Sequence, residues 1–209
     1  MKNFILLVAL VLINVSVYGQ DKKVSGTDYV ITISTEFGDM IVLLYDQTPK
    51  HKANFIKLSN DGTFTGTTFH RIIKGFMIQG GDPNSKDDNV NNDGQGGPGY
   101  TIPAEILPSL KHVKGALSAA RMGDGVNPQK ESSGSQFFIV QNAEGTPFLD
   151  GGYTVFGQTV KGLEVVDKIA DQPKDARDRP LKDIKMTVKA VKMKKKKIIK
   201  LYKCERFYK

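Results

Sequence analysis

Glycine divides the chain into many short runs in which apolar and polar residues alternate, and this feature limits the folds open to it. The 21 Gly are enough to place a tight turn between most of these runs. Residues 29–35 and 40–45 alternate in this way on either side of Phe37-Gly38-Asp39, which indicates a β-hairpin. Further strand-like runs are residues 69–79, 115–120, 136–141, 153–156 and 184–193. Many short strands predict a mainly β protein, either a barrel or a sandwich.

Two segments have a helical pattern. Residues 48–59 begin with Thr48, which can cap a helix, and Pro49, which suits the first helical position. In a second segment, residues 163–170, the apolar residues fall on one face. Because the two helices are well separated and the strands do not alternate with them, the order of elements argues against a βαβ fold.

The positive charge of the chain is confined to its C-terminal end. Residues 192–209 hold nine Lys and Arg and one Glu, so this basic tail carries the whole net charge of +8. A nucleic-acid-binding domain spreads its basic surface over the fold, and no nucleic-acid partner is therefore expected. A block of like charges is typical of a solvated or disordered end. The alternatives are peripheral association with an anionic surface such as the cell envelope, or a tail whose first residues complete the last strand.

The first 19 residues, MKNFILLVALVLINVSVYG, have the pattern of a secretory signal peptide. A lysine and an apolar run come first, and Val17 and Gly19 precede Gln20 like a cleavage site. The sequence therefore predicts an exported protein, periplasmic or secreted, in which residues 20–28 form a polar lead-in. The alternative is a leader that stays uncleaved as a membrane anchor, although a span needs about 20 apolar residues and this run is shorter.

Few residues offer covalent or metal chemistry. The single cysteine, Cys204, lies in the tail, so neither an intrachain disulfide nor a cysteine zinc site can form. The three histidines have no metal-ligand spacing; we expect His51 on a helix surface, His112 in a turn and His70 in the core. No serine has the surroundings of a catalytic nucleophile. The sequence predicts no metal and no cofactor.

Two loop motifs are weak matches to ligand-binding sequences. Residues 94–99 fit the G-x-G-x-x-G pattern, but they follow an Asp- and Asn-rich loop, and Pro98 has no N–H for a phosphate. Residues 89–94 resemble the start of a calcium loop, but Tyr100 stands where its bidentate Glu is required. A tight glycine turn and a solvated surface insertion are the better interpretations.

One arginine lies inside an apolar strand-like run. In residues 69–79, FHRIIKGFMIQ, strand alternation places Arg71 and Ile73 on the same face. A guanidinium on a largely apolar surface is costly unless it is paired or has a function. The residues alone leave two interpretations open. The arginine either pairs with a carboxylate or covers apolar surface with its stem, or it acts on a ligand.

The segment FHRIIKGFMIQGGD, residues 69–82, resembles the cyclophilin signature almost residue for residue. Three further motifs follow in cyclophilin order and spacing: SQFFI at 135–139, FLDG at 148–151 and VFG at 155–157. The resemblance covers about residues 29–191, an isomerase domain that ends where the tail at 192–209 begins. It implies a mainly β fold, an eight-stranded antiparallel β-barrel capped by two α-helices, with peptidyl-prolyl cis–trans isomerase activity and no cofactor.

The resemblance also implies a site on the outer face of the barrel. Arg71 would donate to the prolyl nitrogen, and Gln79 would orient Arg71 and the substrate carbonyl. Phe76 completes the implied catalytic set. The residues implied in substrate binding are Met77, Ala120, Arg121, Gln136, Phe138, Phe148, Leu149 and Tyr153. Within this set, the backbone of Arg121 and the side chain of Gln136 would hold the peptide.

The partners that this resemblance implies are proline-containing peptides and unfolded proteins, bound by a monomer. An alternative function is a proline-peptide binding or chaperone module whose turnover is incidental. The chain departs from many eukaryotic cyclophilins at Phe148, where Trp is common, and at Tyr153, where His is common. Its loop at residues 84–95, NSKDDNVNNDGQ, is longer than usual, and we expect it to alter which peptides the neighbouring groove accepts.

Overall fold

The computed structural model describes residues 24–208, which form ten strands and three helices. The strands are β1 (Thr27–Thr35), β2 (Gly38–Leu44), β3 (Arg71–Ile73), β4 (Met77–Gly80), β5 (Thr101–Ile102), β6 (Ala116–Ala119), β7 (Ser132–Ser133), β8 (Phe137–Val140), β9 (Val155–Lys161) and β10 (Thr187–Lys194). The helices are α1 (Pro49–Asn60), α2 (Leu163–Ala170) and α3 (Lys195–Tyr202). Short 3₁₀ turns lie at Pro83–Lys86, Pro147–Leu149 and Glu205–Tyr208.

Eight of the strands form one antiparallel sheet, in the order β10-β1-β2-β9-β6-β8-β4-β3. Backbone hydrogen bonds between residues 66–72 and 178–186 join its two ends; for example, the Gly66 N–H donates to Met186 O over 2.9 Å. The sheet is thereby closed into a barrel. The predicted eight-stranded antiparallel architecture is confirmed, and β5 and β7 pair with each other in a second, two-stranded sheet.

Alternation along the strands gives the barrel an apolar interior and apolar patches on its outer wall. Ile31 of β1 and Val42 of β2 point inward and belong to the main core, together with Phe55 of α1 and Val166 of α2. Because neighbouring strand residues point to opposite faces, Val30 of β1 stands on the outer wall. Some of the apolar residues on the outer wall are covered by the chain itself, and others line an opening.

The continuous strand expected over residues 69–79 is two short strands instead. Gly75 has φ 77°, a left-handed conformation that glycine adopts without steric cost. The Phe76 N–H donates to Ile73 O over 3.0 Å, which closes the turn. The turn folds β4 back on β3, so that Arg71 lies directly opposite Gln79. One glycine thus brings together the two polar residues of an otherwise apolar run.

The first turn of α1 is capped by a residue from a distant loop. Thr48 lies at the N-cap as expected, but its side chain makes no capping hydrogen bond. The Glu105 carboxylate instead accepts hydrogen bonds from the backbone N–H groups of Lys50 (3.1 Å) and His51 (3.0 Å). His51 also bonds Glu105 through its ring Nδ1 at 2.7 Å and packs on Phe156. His51 is therefore buried, and the expectation that it lies on the helix surface is wrong.

The folded chain extends past the expected domain boundaries at both ends. β1 includes the last residues of the lead-in, and Asp28 is buried in an ion pair with Lys52 at 2.6 Å. At the other end β10 passes residue 191 and continues to Lys194. The predicted signal peptide, residues 1–19, lies outside the described residues. Between residues 24 and 208, no helix is both long enough and apolar enough to cross a membrane.

The basic tail packs on the outer wall of the barrel. Ile198 of α3 is fully buried against Val30 and Leu43. Beyond the helix, the Phe207 ring stacks on Tyr45 with the ring centroids 4.8 Å apart. The expectation of a solvated or disordered end is therefore wrong, because the apolar residues between the lysines bind the tail to the fold.

Candidate active site

A cavity of about 230 Å³ opens on the outer wall where β3, β4 and β8 meet. Nine residues line it, and all nine are among those predicted for the site: Arg71, Phe76, Met77, Gln79, Ala120, Arg121, Phe138, Leu149 and Tyr153. The other two predicted residues lie beside it, Gln136 in an adjoining groove and Phe148 at the rim. The fold therefore gathers residues from several separate stretches of sequence around one opening.

The floor of the cavity is apolar because it is built from outward-facing residues of neighbouring strands. Met77 of β4 and Phe138 of β8 are buried and share one apolar cluster with Val155 of β9. Leu149 and Phe76 pack against this cluster from the loops. Such a floor offers no side-chain hydrogen bond and suits a small apolar ring.

Phe148 forms the rim of the cavity. It lies in the 3₁₀ turn Pro147–Leu149 and is 73% exposed. Its ring centroid is 5.6 Å from that of Phe76. A large exposed aromatic beside an open apolar cavity extends the surface that a ligand can contact.

Arg71 is the cationic group at the edge of the apolar floor. Its side chain is 43% exposed, and its Nε lies 4.0 Å from the carboxylate of Asp178. That carboxylate is itself bonded by Lys174 at 2.6 Å. An ion pair so long and so exposed contributes at most about 1 kcal/mol to stability. Pairing alone therefore does not account for the arginine, whose guanidinium is accessible from the cavity.

The side chain of Gln79 bonds Gln136 rather than Arg71 among the described residues. Its Nε2 donates to Gln136 Oε1 over 3.1 Å. Gln136 Nε2 in turn donates to the carbonyls of Gly94 (3.0 Å) and Gly96 (2.8 Å). The Gln136 amide, which was expected to hold the peptide, is thus committed to the glycine loop. Because a glutamine amide has two N–H groups, Gln79 keeps one for a substrate carbonyl.

Comparison with known proteins shows the family to which this site belongs. The sequence model of the family described as "Cyclophilin type peptidyl-prolyl cis-trans isomerase/CLD" matches residues 30–191. Peptidyl-prolyl cis-trans isomerase CYP18-1 of Arabidopsis thaliana is 40% identical over 161 residues, which are 75% of this chain and 91% of that protein. The chain belongs to the cyclophilin-type peptidyl-prolyl cis–trans isomerases.

One further relative is a longer protein, and another has a solved structure that agrees with this chain in fold. Peptidyl-prolyl cis-trans isomerase-like 2 of Rhizopus delemar is 42% identical over 170 residues; the match covers 79% of this chain but only 29% of that longer protein. A crystal structure of a Cryptosporidium parvum cyclophilin type isomerase, in the presence of the dipeptide Ala-Pro, has a TM-score of 0.68 at 34% identity. That similarity covers 78% of this chain and 98% of the Cryptosporidium chain.

The isomerisation that a cyclophilin catalyses changes no covalent bond. Rotation about the X–Pro bond only twists a planar amide, so the site has to bind, orient and stabilise a twisted state. Among residues 24–208, no group of three or more His, Cys, Asp or Glu side chains is placed to hold a metal ion. The cavity offers an apolar floor, with Arg71 and Gln79 as polar groups at its lining.

Arg121 and Tyr153 form one wall of this cyclophilin's pocket. The Arg121 guanidinium lies 4.5 Å from the centroid of the Tyr153 ring. Its Nε donates to Gly152 O over 2.7 Å, and its Nη1 pairs with Asp124 at 2.6 Å. Sequence analysis indicated only the backbone of Arg121. The structure shows that the side chain also fixes the wall, through a carbonyl that is distant in sequence.

A buried hydrogen-bond chain under the pocket floor is the main feature that sequence analysis missed. The His112 ring stacks on Phe138 with centroids 5.9 Å apart, and its Nδ1 bonds Asp150 at 2.8 Å. Its Nε2 lies 3.1 Å from Ser118 Oγ, which donates to Thr154 O over 2.9 Å. His112, expected only as a turn residue, therefore connects the floor with the segment that carries the rim.

Burial and hydrogen bonding shift the pKa values of this pair. Burial lowers the pKa of His112, and the bond to Asp150 only partly opposes the effect. Burial would raise the pKa of Asp150, but hydrogen bonds from His112 and the nearby Lys111 together outweigh it, and the pKa lies below its usual value. Ser118, His112 and Asp150 make contacts in the order of a nucleophilic triad. Ser118 is fully buried, however, so these three hydrogen-bonded residues support the floor and do not reach a substrate.

A groove of about 990 Å³ is continuous with the pocket of this cyclophilin. Gln79, Ala120 and Arg121 line both openings. Gly94 and Gln95, at the end of the long loop, also line the groove, so the loop borders the substrate path as expected. A peptide can therefore place a proline in the pocket while its neighbouring residues lie along this loop.

Proposed function

We propose that this cyclophilin accelerates X–Pro rotation in peptides and in exported proteins as they fold, with Arg71 donating a hydrogen bond to the prolyl nitrogen. One observation carries the proposal: the Arg71 guanidinium stands at the edge of a cavity of about 230 Å³ whose floor is apolar. The apolar floor suits a proline ring, and the structure of the Cryptosporidium relative in the presence of Ala-Pro supports a proline ligand.

The physics of the reaction explains why a donor is needed at this place. Amide resonance opposes rotation with a barrier of about 18–20 kcal/mol. In the transition state the resonance is lost, and the prolyl nitrogen becomes pyramidal and gains a lone pair. A donor aimed at that lone pair stabilises the twisted state more than either planar state. Only such differential binding lowers the barrier.

The surroundings of Arg71 strengthen this interaction. The floor of Met77 and Phe138 keeps water away from the bound proline, and a hydrogen bond is stronger where water is excluded. Gln79 lies opposite Arg71 on the neighbouring strand, and its second N–H can hold the substrate carbonyl. The two polar groups thus act on the two ends of one peptide unit.

The test is the exchange rate of a short Ala-Pro peptide, measured by NMR with the wild-type protein and with Arg71→Ala. We expect the variant to lose about a hundredfold or more of the acceleration, as for other preorganised donors. Its melting temperature should stay close to that of the wild type, because Arg71 is half-exposed. Arg177→Ala is the matched control: Arg177 is also exposed and lies near Asp178, but it does not line the pocket.

Each outcome of this experiment has a definite meaning. Wild-type exchange in Arg71→Ala would refute the role of the arginine while leaving the isomerase intact. A binding or chaperone module with incidental turnover is the second candidate function. Suppression of aggregation of an unfolded protein that persists undiminished in Arg71→Ala would favour that candidate.

Export, a monomeric state and peripheral association with the cell envelope belong to the same proposal. The leader-like residues 1–19 support export, and the basic tail supports association with an anionic surface. Cell fractionation and the mass of the mature chain test export and cleavage. A mass that equals the full chain in a membrane fraction would favour the uncleaved anchor, and light scattering tests the monomer.

A further inference from the structure

Helix α3 turns a row of lysines to the solvent. With about 3.6 residues per turn, Lys196, Lys197 and Lys200 fall on one side of the helix, and Lys203 at its C-cap continues the row. All four are exposed. We name these four residues the basic stripe. Leu201, which is 53% exposed, lies along its edge.

The opposite side of α3 is fixed to the barrel. Ile198 is fully buried between the helix and the outer wall. Lys195, on this side, lies 3.3 Å from the Asp46 carboxylate and over the Tyr208 ring at 4.9 Å. The apolar side of the helix is therefore occupied, and only the stripe and Leu201 face outward. A helix held in this way can touch a surface but cannot insert into it.

The charges of the stripe have no acidic counterpart among the described residues. Of the nearby carboxylates, Asp46 is already paired with Lys52 at 2.6 Å and with Lys195, and Glu205 in the last turn forms no ion pair with a stripe lysine. None of the ion pairs between residues 24 and 208 includes a stripe lysine. The stripe therefore presents four uncompensated positive charges to whatever lies opposite it.

The stripe and the proline pocket lie on opposite walls of the barrel. The tail covers β1 and β2, whereas the pocket lies over β4 and β8. In the strand order of the closed sheet, β9 and β6 separate these pairs on one side, and β10 and β3 separate them on the other. Contact with a surface through the stripe leaves the pocket open to solvent.

On the basis of the proposed export, we infer that the basic stripe docks this enzyme on an anionic phospholipid surface with its proline pocket facing away. Clusters of four to eight basic residues bind anionic headgroups, and each residue strengthens binding by roughly fivefold. Leu201 at the edge of the stripe adds an exposed apolar contact for the headgroup layer. Export favours lipid over nucleic acid as the polyanion that the stripe meets.

The experiment is sedimentation with vesicles of phosphatidylcholine that contain about one third phosphatidylglycerol, at a series of salt concentrations. It compares the wild-type protein with the stripe variant, in which all four stripe lysines are changed to Gln. A scattered variant, with Lys86, Lys161, Lys168 and Lys182 changed to Gln, loses the same charge from exposed residues elsewhere. Residues 1–19 are either present in all three proteins or absent from all three. Equal melting temperatures show that all three are folded.

We expect the wild type and the scattered variant to bind these vesicles and to be released as salt rises. The stripe variant should bind roughly six-hundredfold more weakly or not at all, because the loss of four lysines multiplies four such factors. Equal binding by the stripe and scattered variants would overturn the inference, as would equal binding of the wild type to pure phosphatidylcholine. Retention of a DNA duplex by the wild type without vesicle binding would assign the stripe to nucleic acid instead.

Exchange of the Ala-Pro peptide in the presence of vesicles tests the orientation. Vesicle-bound wild type should isomerise the peptide at the rate of the free protein, whereas a fall in rate on binding would show that the pocket faces the surface. The stripe variant should retain full activity in solution, because none of its changed residues lines the pocket. If the isomerase proposal fails, none of the three proteins will accelerate Ala-Pro exchange. A failure of docking appears instead in vesicle sedimentation, so the two failures are distinguishable.

Discussion

The outer wall of the barrel carries two apolar patches that are built in the same way, but one is covered by the tail and the other is open. In one patch, Val30 and Leu43 point outward from β1 and β2, and the tail covers them with Ile198. In the other, Met77 and Phe138 point outward from β4 and β8, and no element between residues 24 and 208 closes the opening above them. Strand alternation produces both patches.

The difference shows what turns a patch of barrel wall into a binding site. An apolar surface that the chain itself covers contributes to stability as part of the core. An apolar surface that stays open, with a cation at its edge, is suited to an apolar ligand that has a polar group at a fixed distance. The covered patch has lysines outside it, whereas the open patch has Arg71 and Gln79 beside it.

Removing an aromatic ring from the open patch should have the largest combined effect on function and stability. Phe138→Ala deletes the centre of the pocket floor and the surface on which His112 stacks. We expect the rate of Ala-Pro exchange to fall about a hundredfold and the free energy of unfolding to fall by about 3 kcal/mol. NMR exchange and urea denaturation measure the two effects. A variant that loses stability but retains its rate would show that the floor does not bind the proline.

The matching change in the covered patch should affect stability alone. Ile198→Ala removes the fully buried residue of α3, and we expect the free energy of unfolding to fall by about 2–4 kcal/mol. Leu201→Ala, on the exposed side of the same helix, is the control and should change stability by less than about 0.5 kcal/mol. Neither change should alter the exchange rate of the folded protein. Equal denaturation midpoints for the two variants would mean that the tail does not cover the patch in solution.

The sequence was informative where structure depends on neighbouring residues. Alternation placed most of the strands, and residues 163–170 were predicted as a helix with the bounds that α2 has. Gly75 was a usable signal that was overlooked, since a glycine inside a strand pattern often marks a turn. The charge of the tail predicted a solvated end, whereas the apolar residues Ile198 and Phe207 determine where the tail lies. Of the nine residues around the pocket, the local pattern singled out Arg71, and the resemblance to the family implied the other eight.

Contacts between distant residues left no local signal. Glu105 caps α1 across more than forty positions, with bonds to Lys50 and His51. The bond of His112 to Asp150 and that of Arg121 to Gly152 likewise join separate loops. Each of these polar groups has ordinary neighbours in sequence. Only the folded chain shows which of them support the pocket and which cap the fold.

A change of pH should separate this distant support from the pocket. Burial would raise the pKa of Glu105, but hydrogen bonds from His51 and from the Lys50 backbone outweigh it, and the pKa lies below its usual value. A carboxylate with a lowered pKa stabilises the fold at neutral pH. That stabilisation begins to be lost as pH falls below the unfolded value of about 4.3 and is gone below the folded pKa.

Glu105→Gln isolates this contribution. At neutral pH the variant should be about 1–2 kcal/mol less stable than the wild type, because an amide has one acceptor oxygen where both carboxylate oxygens accept, and it lacks the negative charge favoured at a helix N-terminus. Urea denaturation at decreasing pH should show the difference shrinking once the wild-type carboxylate takes up its proton. Glu144→Gln, a change of an exposed glutamate, is the control, and its stability difference from the wild type should not change with pH. If the stability difference between Glu105→Gln and the wild type does not change with pH, the carboxylate charge does not cap the helix.

The smallest expected effect concerns the carboxylate beside the open patch. Asp178 has φ 67°, a conformation that Asp and Asn tolerate, and Lys174 holds its carboxylate 4.0 Å from Arg71 Nε. The contact is made at the Nε of the guanidinium, and we expect it to orient the side chain. Asp178→Asn should keep the fold and slow Ala-Pro exchange about two- to fivefold, as the loss of an exposed ion pair allows.

Asp171→Asn is the control for that change, because it removes the same charge from a neighbouring pair, with Lys74 at 2.8 Å. Its exchange rate should equal that of the wild type. The Arg71 Nε–H resonance should shift in the Asp178 variant and not in the control, a signature that general loosening of the loop would not give. If both variants slow exchange equally, the net charge near the pocket matters and the contact to Arg71 does not. The function of the open patch would then depend on Arg71 itself and not on the carboxylate beside it, just as the stability of the covered patch depends on Ile198.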